Sequence, residues 1–168
     1  MIDDLAQLAG DRYHRISAGR ERLGLRYHSS FTIEPGETIE SAFARALSSN
    51  AAFERSRGLT MYGPHRDDLE ITISGSRIRN FGSQGQQRSA AIAIKLAEAE
   101  LLARELGEQP VILLDEIFAE LDSERGANLV EQLDSGHQVF IASAHDSGLS
   151  DASAFKKFRV ESGRVAVV

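Results

Sequence analysis

The sequence predicts an α/β lobe built on a mostly parallel sheet, preceded by a partly helical segment. Residues Val111-Ile112-Leu113-Leu114 form a wholly apolar run that ends on Asp115-Glu116, the pattern of a strand buried on both faces of a parallel sheet. The stretch before it, from Gly82 to its break at Gly107 and Pro110, is Ala-rich and apolar nearly all round, so its helix is central rather than superficial. After it, Ser123 to Leu133 reads as a helix and Val139-Phe140-Ile141-Ala142 as a second buried strand. Strand, helix, strand implies a parallel crossover.

A chain of 168 residues, 42% apolar and 26% charged, is long enough for one domain with a real core. No stretch approaches the roughly 20 apolar residues of a membrane span. The start, Met1-Ile2-Asp3-Asp4, is acidic and unlike a signal peptide. Without cysteine there is neither disulfide nor thiolate metal site, and the cytoplasm is the expected compartment. Residues 1–66 hold nine Arg and eight acids, a balance of +1, against −7 for the rest of a chain whose total is −6. An acidic remainder argues against a broad nucleic-acid footprint on this chain alone.

In chain order, Ile2, Leu5, Ala9, Tyr13 and Ile16 recur at helical spacing and predict one amphipathic helix from Ile2 to Leu23. Leu23, Leu25, Tyr27, Phe31 and Ile33 then alternate with polar residues, predicting a half-buried strand closed by Pro35-Gly36. Ile39, Phe43, Ala46 and Leu47 begin a second helix that Arg57-Gly58 can end. Residues 1–58 thus read as a helix-strand-helix unit, an arm that packs against something else. The Gly63-Pro64-His65-Arg66-Asp67-Asp68-Leu69 string is a loop in which Arg66 is expected to pair with Asp67 or Asp68. Leu69 to Ile73, a Ser74-Gly75-Ser76 turn and Ile78 to Phe81 predict a hairpin. Phe158 to Val160 and Val165 to Val167 predict another around Ser162-Gly163.

Three places carry candidate chemistry. Ser83 to Gln86 fits a capping box, a sufficient local role for both residues. The same helix start offers free N–H groups and a positive dipole end to an anion, with Gly85 permitting close approach beside Gln84 and Gln87. Asp115 and Glu116 fall at the carboxyl edge of the sheet, where open α/β folds bind ligands. There one carboxylate can hold Mg²⁺ and the next can orient or deprotonate water; alternatively, Asp115 caps the next helix. His145 is expected at the same edge, as a phosphate contact or as an exposed loop residue.

The strings Gly63 to Leu69, Ser83-Gln84-Gly85-Gln86-Gln87-Arg88, Leu113 to Asp122 and Gln138 to Ile141 resemble the C-terminal lobe of ABC-type ATPases. The branch is the SMC-like, DNA-repair one, and within it a bacterial recombination-mediator family. The resemblance covers about residues 58–168 well, and residues 1–57 by position and pattern. It implies a division into an arm (1–58) and an ATPase lobe (59–168). It also implies that Ser83, Gln84, Gly85 and Gln86 are the signature that meets the γ-phosphate of ATP held by a partner subunit. Asp115 matches the Walker B acid for Mg²⁺, Glu116 the water-activating acid and Asp122 the D-loop acid. At the switch position the match fails, leaving Ser143 and His145 as candidates.

The resemblance further implies a homodimer closing on ATP, with DNA at gaps or single-/double-strand junctions and other recombination mediators as partners. No membrane is involved, and the expected setting is the bacterial cytoplasm, in association with the nucleoid. No Gly-x-x-x-x-Gly-Lys-[Ser/Thr] occurs in the sequence, so the phosphate-cradling loop is missing, and the chain alone is not expected to hydrolyse ATP. The competing expectations are a lobe of another ABC-type ATPase, SMC-like or transporter-type, and an interaction module without catalysis.

Overall fold

The computed structural model describes residues 1–133, 136–144 and 155–168, the Glu120 side chain excepted. The elements are α1 (Ile2–Ile16), β1 (Leu23–His28), α2 (Ile39–Arg57), β2 (Asp68–Ile73), β3 (Ser76–Arg77), α3 (Ile78–Phe81), α4 (Gln84–Leu106), β4 (Ile112–Asp115), α5 (Ser123–Leu133), β5 (Val139–Ala142), β6 (Phe158–Glu161) and β7 (Arg164–Val167). A 3-10 turn, Ile117–Glu120, joins β4 to α5.

The core forms where α1, α4 and α5 meet. Ala9, Tyr13 and Ile16 of α1 pack with Ala90, Ile92, Ala93, Leu96 and Ala97 of α4 and with Leu129 and Leu133 of α5. The alanines let the helix axes approach closely, and each long apolar side chain removed from water there contributes about 1.5–3 kcal/mol. Leu23 of β1 and Ile73 of β2 belong to the same core, and β1 and β2 pair antiparallel from Leu23↔Ile73 to His28↔Asp68. The first helix and strand therefore share one core with α4 and α5. Within residues 1–58, α2 and the loops around it stand outside that core, with Ala42 and Ala46 the buried residues of that helix.

Three boundaries differ from the sequence expectation. Helix α1 stops at Ile16 because Ala18 and Gly19 turn left-handed and the Gly19 N–H closes back on His14 O at 2.8 Å. Strand β1 stops at His28 because Asp67 takes over the next residues: it accepts from Ser30 N at 2.7 Å and from the Tyr27 hydroxyl. Arg66 does not pair with these acids, since its Nε donates to Thr60 O at 3.0 Å. Ile78–Phe81 is a helical turn rather than a strand; the Gly82 N–H bonds Ile78 O, and Ile78 turns toward the core. A Cβ at Gly82 would lie 2.6 Å from Ile78 Cγ1, so the join between α3 and α4 demands glycine.

Strands β4 and β5 pair in parallel, Ile112↔Val139 through Asp115↔Ala142. Ile112, Leu114, Val139 and Ile141 face the core. The opposite face is open: Leu113 is 74% and Phe140 54% exposed, so a run that reads as buried on both sides is covered here on one. The predicted second hairpin is present as β6–β7, exposed along its length. Among the described residues, no helix is long and apolar enough to cross a membrane.

Candidate functional site

The carboxyl end of β4 is where two backbone ladders hand over. Asp115 pairs with Ala142 as the last rung, and its side chain is exposed. Its carbonyl oxygen faces Arg88 Nη2 at 3.5 Å. The chain then breaks direction at Glu116, whose φ of 48° is unusual for a residue with a side chain and costs of order 1–3 kcal/mol. Neighbouring contacts hold it there: Glu116 N donates to Ala142 O at 3.0 Å, and Glu116 Oε1 accepts from Ala144 N at 2.8 Å. One carboxylate oxygen is thus fixed against the end of β5, and the other remains to accept a proton or a water.

The start of α4 is a complete capping box. Ser83 Oγ accepts from Gln86 N at 3.2 Å, and Gln86 Oε1 accepts from Ser83 N at 2.8 Å. Gln87 Nε2 donates to Gly82 O at 2.9 Å, a local role for a residue that capping alone left unexplained. Ser83 and Gln84 are exposed. The box uses the Gln86 N–H and leaves those of Gln84 and Gly85 at the open helix end, the donors that suit an anion.

Asp122 does the capping that the sequence allowed for Asp115. Its Oδ1 accepts from Arg125 N at 2.8 Å, opening α5, while its carbonyl oxygen accepts from Gly126 N at 2.9 Å. Its side chain stays 59% exposed. Ser143 is exposed just beyond β5, and His145 lies outside the described residues.

Two residues missed by sequence reading stand between these places. Arg125, buried on α5, donates Nη2 to Glu21 Oε2 at 3.0 Å and Nη1 to Ser89 Oγ at 3.2 Å, and its Nε lies 3.4 Å from Asp122 Oδ2. Glu21 also accepts from the Tyr13 hydroxyl at 2.6 Å and, on Oε1, from Gln86 Nε2 at 2.8 Å. Burial alone would raise the Glu21 pKa, but the hydrogen bonds from Tyr13, Gln86 and Arg125 outweigh it and hold the carboxyl below its ordinary value. Burial, reinforced by the bond to Glu21, pushes Tyr13 upward. A sequence signal for Arg125 existed: it stands four and eight residues before Leu129 and Leu133, on the stripe that the helix buries.

Among the described residues no three acids or histidines converge as a metal cage. An ion at β4 would rest on a single exposed carboxylate plus phosphate oxygens and water. That is how Mg²⁺ is held in nucleotide sites, so Asp115 fits the role.

No family model matches the chain. It is 41% identical over 171 residues to the DNA replication and repair protein RecF of Halothermothrix orenii, covering 98% of this chain and 46% of that protein. To the RecF of Geobacillus thermodenitrificans it is 39% identical over 167 residues, covering 96% and 45%. The chain thus spans a little under half the length of these curated relatives. A solved structure of the recombination mediator RecF with ATP superposes with a TM-score of 0.72 at 28% identity, over 99% of this chain and 44% of that one. An SMC ATPase structure shares the fold at a TM-score of 0.57 and 17% identity, over 99% of this chain and 83% of that one.

Proposed function

Since the chain is related to the RecF proteins over nearly all of its own length, we propose that it is the C-terminal part of an ATP-dependent, DNA-binding protein of recombinational repair. It supplies the signature and the Walker B acids to a composite nucleotide site between two subunits. The observation that carries this reading is the acid pair Asp115-Glu116 at the carboxyl end of the parallel β4–β5 pair, the edge at which open α/β folds bind ligands.

Each residue has a role suited to its surroundings. Asp115 holds Mg²⁺, which when bound polarises phosphate oxygens. Glu116, with Oε1 already occupied by the Ala144 N–H, presents its second oxygen to the attacking water and takes its proton. Exposed Ser83 and Gln84, together with Gly85 and Gln86, offer the α4 N-terminus to the γ-phosphate of ATP on the partner subunit. Exposed Asp122 reaches toward the same interface. The DNA partner is a gap or a junction between single and double strands, and other mediator proteins work alongside. An interaction module without catalysis has less support, because both acids are intact.

The test uses a full-length protein carrying this segment, with light scattering and phosphate release measured with and without ATP. Glu116→Gln is expected to keep nucleotide binding and ATP-driven dimerisation while hydrolysis falls about 10²–10⁴-fold, the usual worth of a positioned base. Asp115→Asn weakens Mg-ATP binding itself. Ser83→Arg abolishes dimerisation but preserves ATP binding by the monomer. Parent-rate hydrolysis by Glu116→Gln, or dimerisation of Ser83→Arg on ATP, overturns the assignment.

A further inference from the structure

The capped start of α4 and the Asp122 corner are far apart in sequence, yet a continuous series of polar contacts joins them. From Asp122 Oδ2 the series passes to Arg125 Nε at 3.4 Å, from Arg125 Nη2 to Glu21 Oε2 at 3.0 Å, and from Glu21 Oε1 to Gln86 Nε2 at 2.8 Å. Gln86 in turn closes the capping box on Ser83. Both oxygens of Glu21 are used, one toward each end.

The middle of the series is fixed from outside it. Ser17, fully buried, accepts the Glu21 N–H on its hydroxyl at 3.3 Å, and the Tyr13 hydroxyl, on the core helix α1, bonds Glu21 Oε2. Ser89, one turn along α4 and fully buried, holds Arg125 Nη1. Asn128 Nδ2 donates to Ile16 O at 3.2 Å, and Arg20 pairs with Glu124 at 2.9 Å. The last turn of α1 and the loop after it are thus clasped by the first two turns of α5. A displacement of the Asp122 corner cannot be absorbed by a loose side chain on the way. Guanidinium and carboxylate forks have fixed geometry, and a buried ion pair broken at one end leaves an uncompensated charge.

We propose that Glu21 and Arg125 are positioning residues that make the Ser83–Gln86 helix start and the Asp122 corner one mechanical unit, so that nucleotide contact at either is felt at the other. The functional meaning rests on the reading of these two segments as signature and D-loop. The physical coupling does not.

The decisive measurement is amide hydrogen exchange, followed by NMR on this chain without nucleotide, in a double-mutant cycle. Asp122→Ala removes the far end, and the Gln86 N–H, which rests on Ser83 Oγ, is the reporter. In the otherwise unaltered chain, Asp122→Ala is expected to speed Gln86 exchange about tenfold, or about 1.4 kcal/mol. In a Glu21→Gln background it is expected to change it less than twofold. Arg125→Lys, which keeps the charge but loses the fork, is expected to give an intermediate value. The Phe43 amide of α2 should not respond in any variant.

Equal acceleration in both backgrounds, no acceleration in either, or a uniform rise that includes Phe43 overturns the proposal. If Glu21→Gln does not fold, Glu21→Asp replaces it in the cycle; one methylene shorter, it cannot span Arg125 and Gln86 together. In the full-length protein, Glu21→Gln is expected to raise the ATP concentration for half-maximal dimerisation about tenfold, leaving ATP binding by the monomer unchanged. Failure of the exchange cycle leaves the nucleotide reading standing, and failure of Ser83→Arg to block assembly leaves the coupling standing.

Discussion

Two regions of this chain solve the problem of holding a helix in different ways. Helix α4 is held by burial: six of its residues are withdrawn from water, and the ion pair of Glu21 with Arg125 sits against its first turns. Helix α2 is held from its ends and its surface. Thr38 Oγ1 caps it by accepting from Ser41 N, Gly58 closes it in the left-handed region, and the exposed Arg45 forks onto both oxygens of Glu37 at 3.0 and 2.8 Å. Phe43 meets Phe31 with ring centroids 5.4 Å apart. Long-range burial binds distant segments of sequence into one body, whereas caps and surface forks bind a segment to itself.

The largest test of this contrast is Arg125→Ala. It strands Glu21 beside Tyr13 with its cationic partner gone, and the expected cost is about 3–5 kcal/mol of unfolding free energy, read by urea titration. A loss below about 1 kcal/mol would place the pair among surface salt bridges and erase the distinction. Next comes Gly58→Ala in the other region. A Cβ at φ 63° strains the C-cap of α2 by about 1 kcal/mol. The effect should be local, with faster amide exchange in the last turn of α2 and none in α4.

The smallest effects are electrostatic and differ in kind. Both Glu21 and Glu37 have folded pKa values below their ordinary ones, so each contributes stability above its unfolded pKa that is lost as pH falls through the folded value. For Glu37 the Arg45 hydrogen bonds, aided by the Glu34 N–H, set that value at about 2. Its partner Arg45 is 47% exposed, whereas the Arg125 beside Glu21 is 10% exposed, so about 1 M salt screens the Glu37 pair the more, the Debye length then being about 3 Å. NMR titration in high salt should therefore move Glu37 back toward the ordinary range and leave Glu21 where it is. Equal movement of both would show that the Glu21 site is wetter than its packing implies.

The same division governs what could be read from sequence. Helix α2 was legible end to end, from Ile39 to the Gly58 cap, because its limits are set by neighbouring residues. So were α4 with its capping box, α5, the parallel pair and the closing hairpin. Apart from the end of α1, set by the local turn at Ala18 and Gly19, the boundaries that failed depended on distant partners. The early end of β1 is dictated by Asp67, and the open face of Leu113 by how much of the sheet is covered. Ile78–Phe81 turned helical because Ile78 had a core to enter. At the site, the strand-end position of Asp115 and Glu116 followed from the apolar run before them, but the left-handed twist at Glu116 and its tie to Ala144 did not. The Glu21–Arg125 pair joins residues 104 positions apart, beyond any local pattern, although the misfit of an arginine on the apolar stripe of α5 was visible.

That separation bears on how the protein is made. At roughly 5–20 residues per second, a ribosome that has just placed Glu21 needs about 5–20 s more to reach Arg125, with α4 emerging only in the latter part of that wait. Until then the stripe of Ala9, Tyr13 and Ile16 lacks its partners on α4 and α5 and has only Leu23 and Ile73 of the core to pack on, so a nascent chain in this state leaves much of that stripe open to a chaperone. Helix α2, synthesised in between, carries its own caps and can form without waiting. The order of assembly is therefore the reverse of the order of stability: the surface helix closes early, and α1, made before it, is among the last to find its place.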